Sequence, residues 1–126
     1  MPHTTYIGIG SNLGTPEKNC TDAIKKLATH PDIFLKAQSP FYKTRPVGPI
    51  EQKWFVNAAL KVQTRLSPHD LLGTLLNTEK EMGRVRKEKW GPRLIDLDLL
   101  FYDNLILNSQ GLILPHPEIP NRRFVL

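Results

Sequence analysis

The spacing of apolar and polar residues changes several times along the 126-residue chain, and each change predicts a new element. Residues 4–10 read as a short strand that ends in a Ser-Asn-Leu-Gly turn. A Thr-Pro pair and apolar residues at helical spacing predict a helix over residues 16–29. The next stretch, residues 33–42, is typical of one extended strand, and prolines and a glycine predict an irregular loop over residues 43–50.

Alternation is clearest in the middle of the chain, where residues 54–64 predict a half-buried strand. Ser67, followed by proline and by an acid at the third helical position, predicts the start of a second helix. Glu79 interrupts the apolar stripe of this helix, and Gly83 can end it in the left-handed conformation. The stripe consists of Leu71, Leu72, Leu75, Leu76 and Met82.

The last part of the chain predicts an apolar strand over residues 94–102 and a small hairpin made of residues 105–107 and 112–114. The predicted order is therefore strand, helix, strand, strand, helix, strand, with the hairpin appended. That order is typical of a ferredoxin-like α+β fold, in which an antiparallel sheet carries the helices on one face. The length suits a single domain over residues 1–126 with one core.

Composition is that of an ordinary soluble globular protein, since 40% of the residues are hydrophobic and 23% are charged. No apolar run approaches the roughly 20 residues that a membrane helix needs, and the first residues do not resemble a signal peptide. Cys20 is the only cysteine, so no internal disulfide can form. We therefore expect a cytoplasmic protein.

Positive charge is concentrated in residues 84–93, which hold five basic residues and one acid and so contribute +4 of the formal net charge of +5. Charge this local favours a small anionic ligand, such as a nucleotide polyphosphate, over an extended nucleic-acid surface. A solvated loop without a ligand is the other interpretation that these charges allow.

Two acids follow this basic stretch. Asp96 and Asp98 are two positions apart on a predicted strand, so both carboxylates share one face and repel each other unless a cation or a shared proton relieves them. Mg²⁺ prefers such oxygen ligands and completes its shell with phosphate oxygens and water. Structural ion pairs are the alternative for an isolated Asp-x-Asp pair, but the neighbouring cations favour Mg²⁺-assisted phosphate chemistry.

Other signals are weaker by themselves. The Gly8-x-Gly10 pair lacks the third glycine of a dinucleotide-binding turn, and a tight strand-to-helix turn explains it better. Phe55 and Asn57 share a strand face that either binds a flat ring or is simply exposed. His116, between two prolines, either donates to a phosphate or is an ordinary loop histidine. The chain has no P-loop and no zinc-ligand spacing.

Several segments together resemble the 6-hydroxymethyl-7,8-dihydropterin pyrophosphokinase family of folate biosynthesis. The segment Trp90-Gly-Pro-Arg-x-x-Asp96-x-Asp98-Leu-Leu is similar to the signature of that family. Further similar segments occur in the same order along essentially the whole chain. They are Tyr6-Ile-x-Ile-Gly-Ser-Asn-Leu-Gly14, Phe41-Tyr-Lys-Thr-Arg-Pro-Val-Gly-Pro49, Phe55-Val-Asn57-Ala-Ala, Gly83-Arg-Val-Arg86, and Pro115-His-Pro with Asn121-Arg122.

The resemblance implies an enzyme that transfers pyrophosphate from ATP to the hydroxymethyl group of the pterin and releases AMP. It implies that Asp96 and Asp98 hold two Mg²⁺ ions and act in catalysis together with two mobile-loop arginines, Arg84 and Arg93. It also implies a set of ATP-binding residues. These are Glu79, Arg86, Lys87, Trp90, Leu99, His116 and Arg122.

On the pterin side, the resemblance implies a ring stacked between Phe55 and Phe124. The other implied pterin contacts are Gly10, Thr44, Val47, Asn57 and Trp90. Family members usually continue beyond this C-terminus with a helical tail, so we expect that tail to be absent. Arg45 also departs from the family, in which a smaller residue or proline is common.

Two alternatives follow from the same residues. A nucleotidyltransferase would share the Gly-Ser and Asp-x-Asp elements, but in that class the two elements lie close in sequence, and it would release pyrophosphate instead of AMP. An RNA-binding ferredoxin-like domain would need aromatic residues on its two central strands, whereas the first strand offers only Tyr6. We therefore expect small-molecule substrates, no nucleic-acid or membrane partner, and a monomer.

Overall fold

The structure is a computed structural model that describes residues 2–46, 48, 51–83, 94–109 and 111–117. These residues form a mixed α+β fold with two helices and an antiparallel sheet, as the sequence predicted. None of the helices in the described ranges is long and apolar enough to cross a membrane. The elements are β1 (His3–Ser11), α1 (Pro16–Ala28), β2 (Ile33–Gln38), β3 (Tyr42–Thr44), β4 (Phe55–Thr64), α2 (Pro68–Glu81), β5 (Asp96–Tyr102), β6 (Leu107–Ser109) and β7 (Leu112–Leu114).

The main sheet has the strand order β2-β4-β1-β5, and β3 also pairs with β4. All of these pairings are antiparallel. A separate antiparallel pair is formed by β6 and β7. Strand β1 is therefore central, with β4 on one side and β5 on the other.

One face of the sheet carries the core, because apolar residues alternate along β1, β4 and β5. Both helices contribute side chains to the same buried cluster. The opposite face carries polar residues such as Asn57, Asp96 and Asp98. The fully buried members of the core include Ile7, Ile9, Cys20, Ala23, Ala58, Leu60, Leu71, Leu75 and Leu99.

The helix starts follow the predicted chemistry. Proline occupies the first turn of both helices, with Thr15 and Ser67 as the N-cap residues. The Ser67 hydroxyl accepts a hydrogen bond from the Asp70 N–H at 3.2 Å, whereas Thr15 makes no side-chain cap bond. Gly83 follows α2 with a φ of 87°, which confirms its predicted left-handed conformation.

The predicted single strand over residues 33–42 is wrong, because the structure contains two strands separated by a break over residues 39–41. The Ser39 N–H donates to the Ala59 carbonyl, and its Oγ accepts from the Ala59 N–H. Pro40 has no N–H to continue the ladder. The chain then resumes pairing in β3, which takes two residues from the predicted loop.

The first strand of the predicted hairpin is also misplaced. Residues 105–107 were expected to form it, but β6 begins at Leu107. The Leu105 N–H donates to the Tyr102 carbonyl at 3.0 Å and closes a turn in which Asp103 has a φ of 49°. The shift pairs Leu107 with Leu114 and Ser109 with Leu112.

The predicted apolar stripe of α2 is partly wrong. Leu76 is 43% exposed, whereas Glu79, which interrupts the stripe, is only 3% exposed. Its Oε2 accepts a hydrogen bond from the Leu97 N–H of β5 at 2.8 Å. A buried carboxylate therefore joins the helix to the strand that carries the two acids.

Candidate active site

Asp96 and Asp98 lie on one face of β5, as their spacing predicted. In the pairing of β5 with β1, Asp96 is opposite Gly10 and Asp98 is opposite Gly8. Opposed residues of an antiparallel pair point to the same face, so each carboxylate faces a position without a side chain. The two acids thus lie beside two glycines at the centre of the sheet.

Gly10 is required by the close approach of a side chain from β4. A Cβ at Gly10 would lie 2.7 Å from Oδ1 of Asn57, a separation that Cβ contacts do not tolerate. At Gly8 a Cβ would lie 3.3 Å from Cδ1 of Leu100, which is tight but less severe. The two glycines therefore form a floor between the acids of β5 and the amide of β4.

Of the residues predicted to bind the pterin, Thr44, Phe55 and Asn57 lie on the β4 side of this floor. Asn57 pairs with Gly10 in the ladder and is almost fully buried. Its Nδ2 donates to Oγ1 of Thr44. Thr44 in turn pairs with Phe55, which is half-buried. An aromatic ring, an amide and a hydroxyl are thus next to one another, a combination that can hold a flat, hydrogen-bonding ring.

On the other side of the acids, a cleft of about 850 Å³ lies between α2, β5 and the β6–β7 hairpin. Its walls combine apolar side chains with the two carboxylates. Glu79 and Leu99, two of the predicted nucleotide contacts, are among its lining residues, although Leu99 is nearly buried, so little of its side chain is available to a ligand. The remaining lining residues are Leu72, Leu76, Leu97, Asn108, Ser109, Gly111, Leu112, Ile113, His116 and Pro117.

His116 connects the cleft to the acid pair. Its backbone N–H donates to the Leu100 carbonyl at 3.0 Å, which fixes the chain after β7 against β5. Its Nε2 lies 3.5 Å from Oδ1 of Asp98. Both side chains are about one-fifth exposed, so the imidazole can reach a ligand that enters the cleft.

The acid pair suits a magnesium ion that arrives with phosphate. The described part of the chain has no group of three or more His, Cys, Asp or Glu side chains suited to a metal. Both carboxylates line the cleft, and Mg²⁺ commonly keeps phosphate oxygens and water as its other ligands. The donor set therefore fits Mg²⁺ bound together with a nucleotide.

The structure brings nine predicted site residues into two adjoining groups, with Asp96 and Asp98 at the boundary. Sequence reasoning did not identify Gly8 as part of the floor or Leu76 as part of the cleft wall. The spacing of Gly8 and Gly10 in the sequence could have indicated the role of Gly8, whereas nothing in the sequence distinguishes Leu76 from any other exposed leucine. Other predicted site residues fall outside the described ranges. They are Val47, Arg84, Arg86, Lys87, Trp90, Arg93, Arg122 and Phe124.

Three relatives show how far the similarity extends. A 2-amino-4-hydroxy-6-hydroxymethyldihydropteridine pyrophosphokinase of Haemophilus influenzae is 44% identical over 123 residues, covering 98% of this chain and 77% of the relative. The enzyme of the same name from Methylorubrum extorquens is 43% identical over 121 residues, which cover 96% of this chain and 77% of the relative. The bifunctional protein FolKE of Lactococcus lactis is 45% identical over 123 residues, and the chain spans 35% of its length.

A family model also matches most of the chain. The matched family is described as 7,8-dihydro-6-hydroxymethylpterin-pyrophosphokinase, and the match covers residues 6–126. That range contains every predicted site residue. The chain therefore belongs to the 7,8-dihydro-6-hydroxymethylpterin-pyrophosphokinase family, whose reaction transfers pyrophosphate from ATP to the hydroxymethyl pterin in folate biosynthesis.

Proposed function

We propose that this chain transfers the pyrophosphoryl group of ATP to 6-hydroxymethyl-7,8-dihydropterin and releases AMP, as part of folate biosynthesis. One observation carries the proposal: Asp96 and Asp98 lie between a cleft large enough for a nucleotide and a floor bordered by Asn57. This arrangement would bring the phosphate chain of one ligand to the hydroxymethyl group of the other.

The nucleotide would occupy the cleft between α2, β5 and the hairpin. Apolar contacts from Leu76 and Ile113 suit a purine ring, and His116 can donate to a phosphate. Two Mg²⁺ ions, held by Asp96 and Asp98, would neutralise the phosphate charge when bound. Roles for the remaining nucleotide contacts are predictions from the family. These contacts are Glu79, Arg86, Lys87, Trp90, Leu99 and Arg122.

The pterin would lie over the glycine floor, with Asn57 and Thr44 at its hydrogen-bonding edge and Phe55 against its ring. In the reaction, the hydroxymethyl oxygen attacks the β-phosphorus in line and forms a new P–O bond. The bond between the β-phosphorus and the oxygen of the α-phosphate breaks, and AMP leaves with that oxygen. The attacking hydroxyl releases its proton to solvent water, and Arg84 and Arg93 are proposed to stabilise the transferred group.

The fold that supports this site is proposed to be ferredoxin-like over a single domain. The strand order β2-β4-β1-β5 supports this topology. If β1, β2, β4 and β5 are taken as the four strands of a β-α-β-β-α-β unit, their order in the sheet is that of the ferredoxin-like fold, and β3 is an added segment paired with β4. We also propose that the protein acts as a monomer, because both halves of the site come from one chain.

The proposal is tested by incubating the protein with ATP, Mg²⁺ and the hydroxymethyl pterin and identifying the nucleotide product. We expect AMP in an amount equal to the pterin consumed, and no release without Mg²⁺. Release of free pyrophosphate in place of AMP would instead assign a nucleotidyltransferase.

The acid pair is tested by Asp96→Asn and Asp98→Asn. Each exchange removes a charge but keeps the shape, so we expect turnover to fall by about a thousandfold or more, as when preorganised charge stabilisation is lost. Asp22→Asn is the matched control, because Asp22 pairs only with Lys18 on the surface of α1 in the contacts described. Normal Mg²⁺-dependent AMP release in both Asp96→Asn and Asp98→Asn would refute the metal assignment.

A further inference from the structure

Asn12 is a polar side chain that the proposed reaction does not use, although it is only 1% exposed. It directly follows β1, two residues after Gly10. Its Nδ2 donates to Oε1 of Gln52 at 2.7 Å and to the backbone carbonyl of Lys53 at 2.9 Å. One amide group therefore connects the end of β1 to a segment that lies 40 residues further along the chain.

The position of these contacts matters more than their number. The ladder between β1 and β4 ends with the pair Ser11 and Val56. Beyond that pair no backbone ladder is described, and the side chain of Asn12 continues the connection to Gln52 and Lys53. These two residues lead directly into β4, so their position sets where Phe55 begins the strand.

A second contact, between Arg45 and Trp54, also holds the segment that leads into β4, but it is weaker than the hydrogen bonds of Asn12. The guanidinium carbon of Arg45 lies 5.4 Å from the ring centroid of Trp54, and this pair also joins the two ends of the segment between β3 and β4. Trp54 is half exposed, and cation–π contacts at exposed sites contribute little. The buried amide of Asn12 is therefore the stronger of the two connections.

We infer that Asn12 is a positioning residue for the pterin half of the site. It acts through Gln52 and Lys53 on the start of β4, where Phe55 and Asn57 lie. The inference rests on the proposed function, because it assumes that the pterin lies against β4.

The geometry gives this role a specific kinetic consequence. Asn12 holds the start of β4, whereas Asp96 and Asp98 lie on β5, across β1 from β4. A change at Asn12 should therefore weaken pterin binding and leave ATP binding nearly unaffected. A residue that merely stabilises the fold would not separate the two substrates in this way.

Asn12→Asp tests the inference in the full chain. The exchange keeps the size of the side chain but places a carboxylate against two acceptor oxygens. We expect the pterin KM to rise about tenfold, the loss expected for a buried hydrogen-bond network left unpaired, with the ATP KM near the wild-type value. The same exchange at Asn77, an exposed residue of α2, is the control and should change neither KM.

Gln52 supplies a second pair of variants that does not depend on the stability of Asn12→Asp. Gln52→Glu keeps an acceptor oxygen for Asn12 and should retain the wild-type pterin KM, whereas Gln52→Ala removes it and should raise that KM. If Asn12→Asp does not fold, this pair decides the question.

The inference is wrong if the pterin and ATP KM values rise together, if a folded Asn12→Asp binds pterin normally, or if both Gln52 variants behave alike. These results differ from failure of the proposed function, in which the wild-type protein itself would release no AMP from ATP and the hydroxymethyl pterin.

Discussion

Gly10 illustrates how one residue can be fixed by a contact that lies far away in sequence. Oδ1 of Asn57 occupies the space beside it, so any side chain at this position would displace the amide. Since Asn57 is also held by Thr44, the displacement would extend to the predicted pterin contacts. The conformational freedom of glycine is not the reason here, because the position needs only the absence of a Cβ.

Gly10→Ala should therefore lower kcat/KM for the pterin by at least about tenfold, because the cost of pushing a buried, bonded amide aside is of order 1–3 kcal/mol. AMP release at varied pterin concentration measures this effect. Gly73→Ala is the control. A Cβ at Gly73 meets nothing within 4 Å, and alanine in a helix interior should raise the free energy of unfolding by about 0.5–1 kcal/mol. Wild-type turnover by Gly10→Ala would show that Asn57 can move without harm.

Cys20 is the second residue whose behaviour follows from its surroundings. Burial against the core, with a smaller effect from the negative charge of Glu17, raises the pKa of its thiol to about 12. At pH 8 the thiol is neutral and therefore unreactive. A thiol-specific reagent should label Cys20 slowly in the native protein and fully in denaturant. Rapid stoichiometric labelling of the native protein at pH 8 would contradict this.

At the scale of elements, a side-chain contact between α2 and β5 helps to hold the strand that carries the acid pair. Glu79 interrupts the predicted apolar stripe of α2. Its side chain is nevertheless buried, and it accepts a hydrogen bond from the Leu97 N–H. Leu97 lies between Asp96 and Asp98 in sequence. The helix therefore contacts the strand that carries Asp96 and Asp98 through a carboxylate, and sequence periodicity has no means of indicating such a contact.

Glu79→Ala should lower the free energy of unfolding by about 1–3 kcal/mol, because a buried N–H loses its acceptor. Glu79→Gln keeps an acceptor oxygen and should be milder. Glu81→Ala is the control, since Glu81 is exposed and contacts Lys26 and Asn77 at the surface. Chemical denaturation measures the free energy of unfolding of the three variants. Equal stability of Glu79→Ala and Glu81→Ala would contradict a stabilising role for the bond between Glu79 and the Leu97 N–H.

At the scale of the whole molecule, one polar cluster joins the beginning of the sheet to the turn after β5. Nδ1 of His3 lies 2.7 Å from Oδ2 of Asp103, and the Thr4 N–H donates to Oδ1 of Asp103 at 2.8 Å. The hydrogen bond from His3, followed by that from Thr4, lowers the pKa of Asp103 below its usual value. The cluster therefore contributes more stability when Asp103 is ionised than when it is protonated.

The direction of the pH effect follows from this lowered pKa. A carboxylate whose folded-state pKa is depressed contributes fully above its unfolded value of about 3.9, and the contribution is lost as the pH falls through the folded-state pKa. Asp103→Asn should reduce stability at pH 7 and flatten its decline below about pH 4. Asparagine tolerates the φ of 49° at this position, so backbone strain is not added. Urea denaturation between pH 3 and 7 measures both effects, and parallel curves would contradict the assignment.

The sequence by itself determined the local features: the two helices with their N-caps, the alternating strand β4, and the common face of Asp96 and Asp98. These depend on a repeat of 2 or 3.6 residues, which neighbouring side chains specify. The break over residues 39–41 and the shifted hairpin strand were not determined in this way, because both depend on which backbone groups are bonded elsewhere in the fold.

Only the tertiary structure decided which distant residues these local elements contact. It placed Asn57 against Gly10, Glu79 against Leu97, and Asn12 against Gln52 and Lys53. Each of these contacts joins residues at least 18 positions apart. Strand register and helix placement select them through packing of the whole core, and no local pattern carries that information.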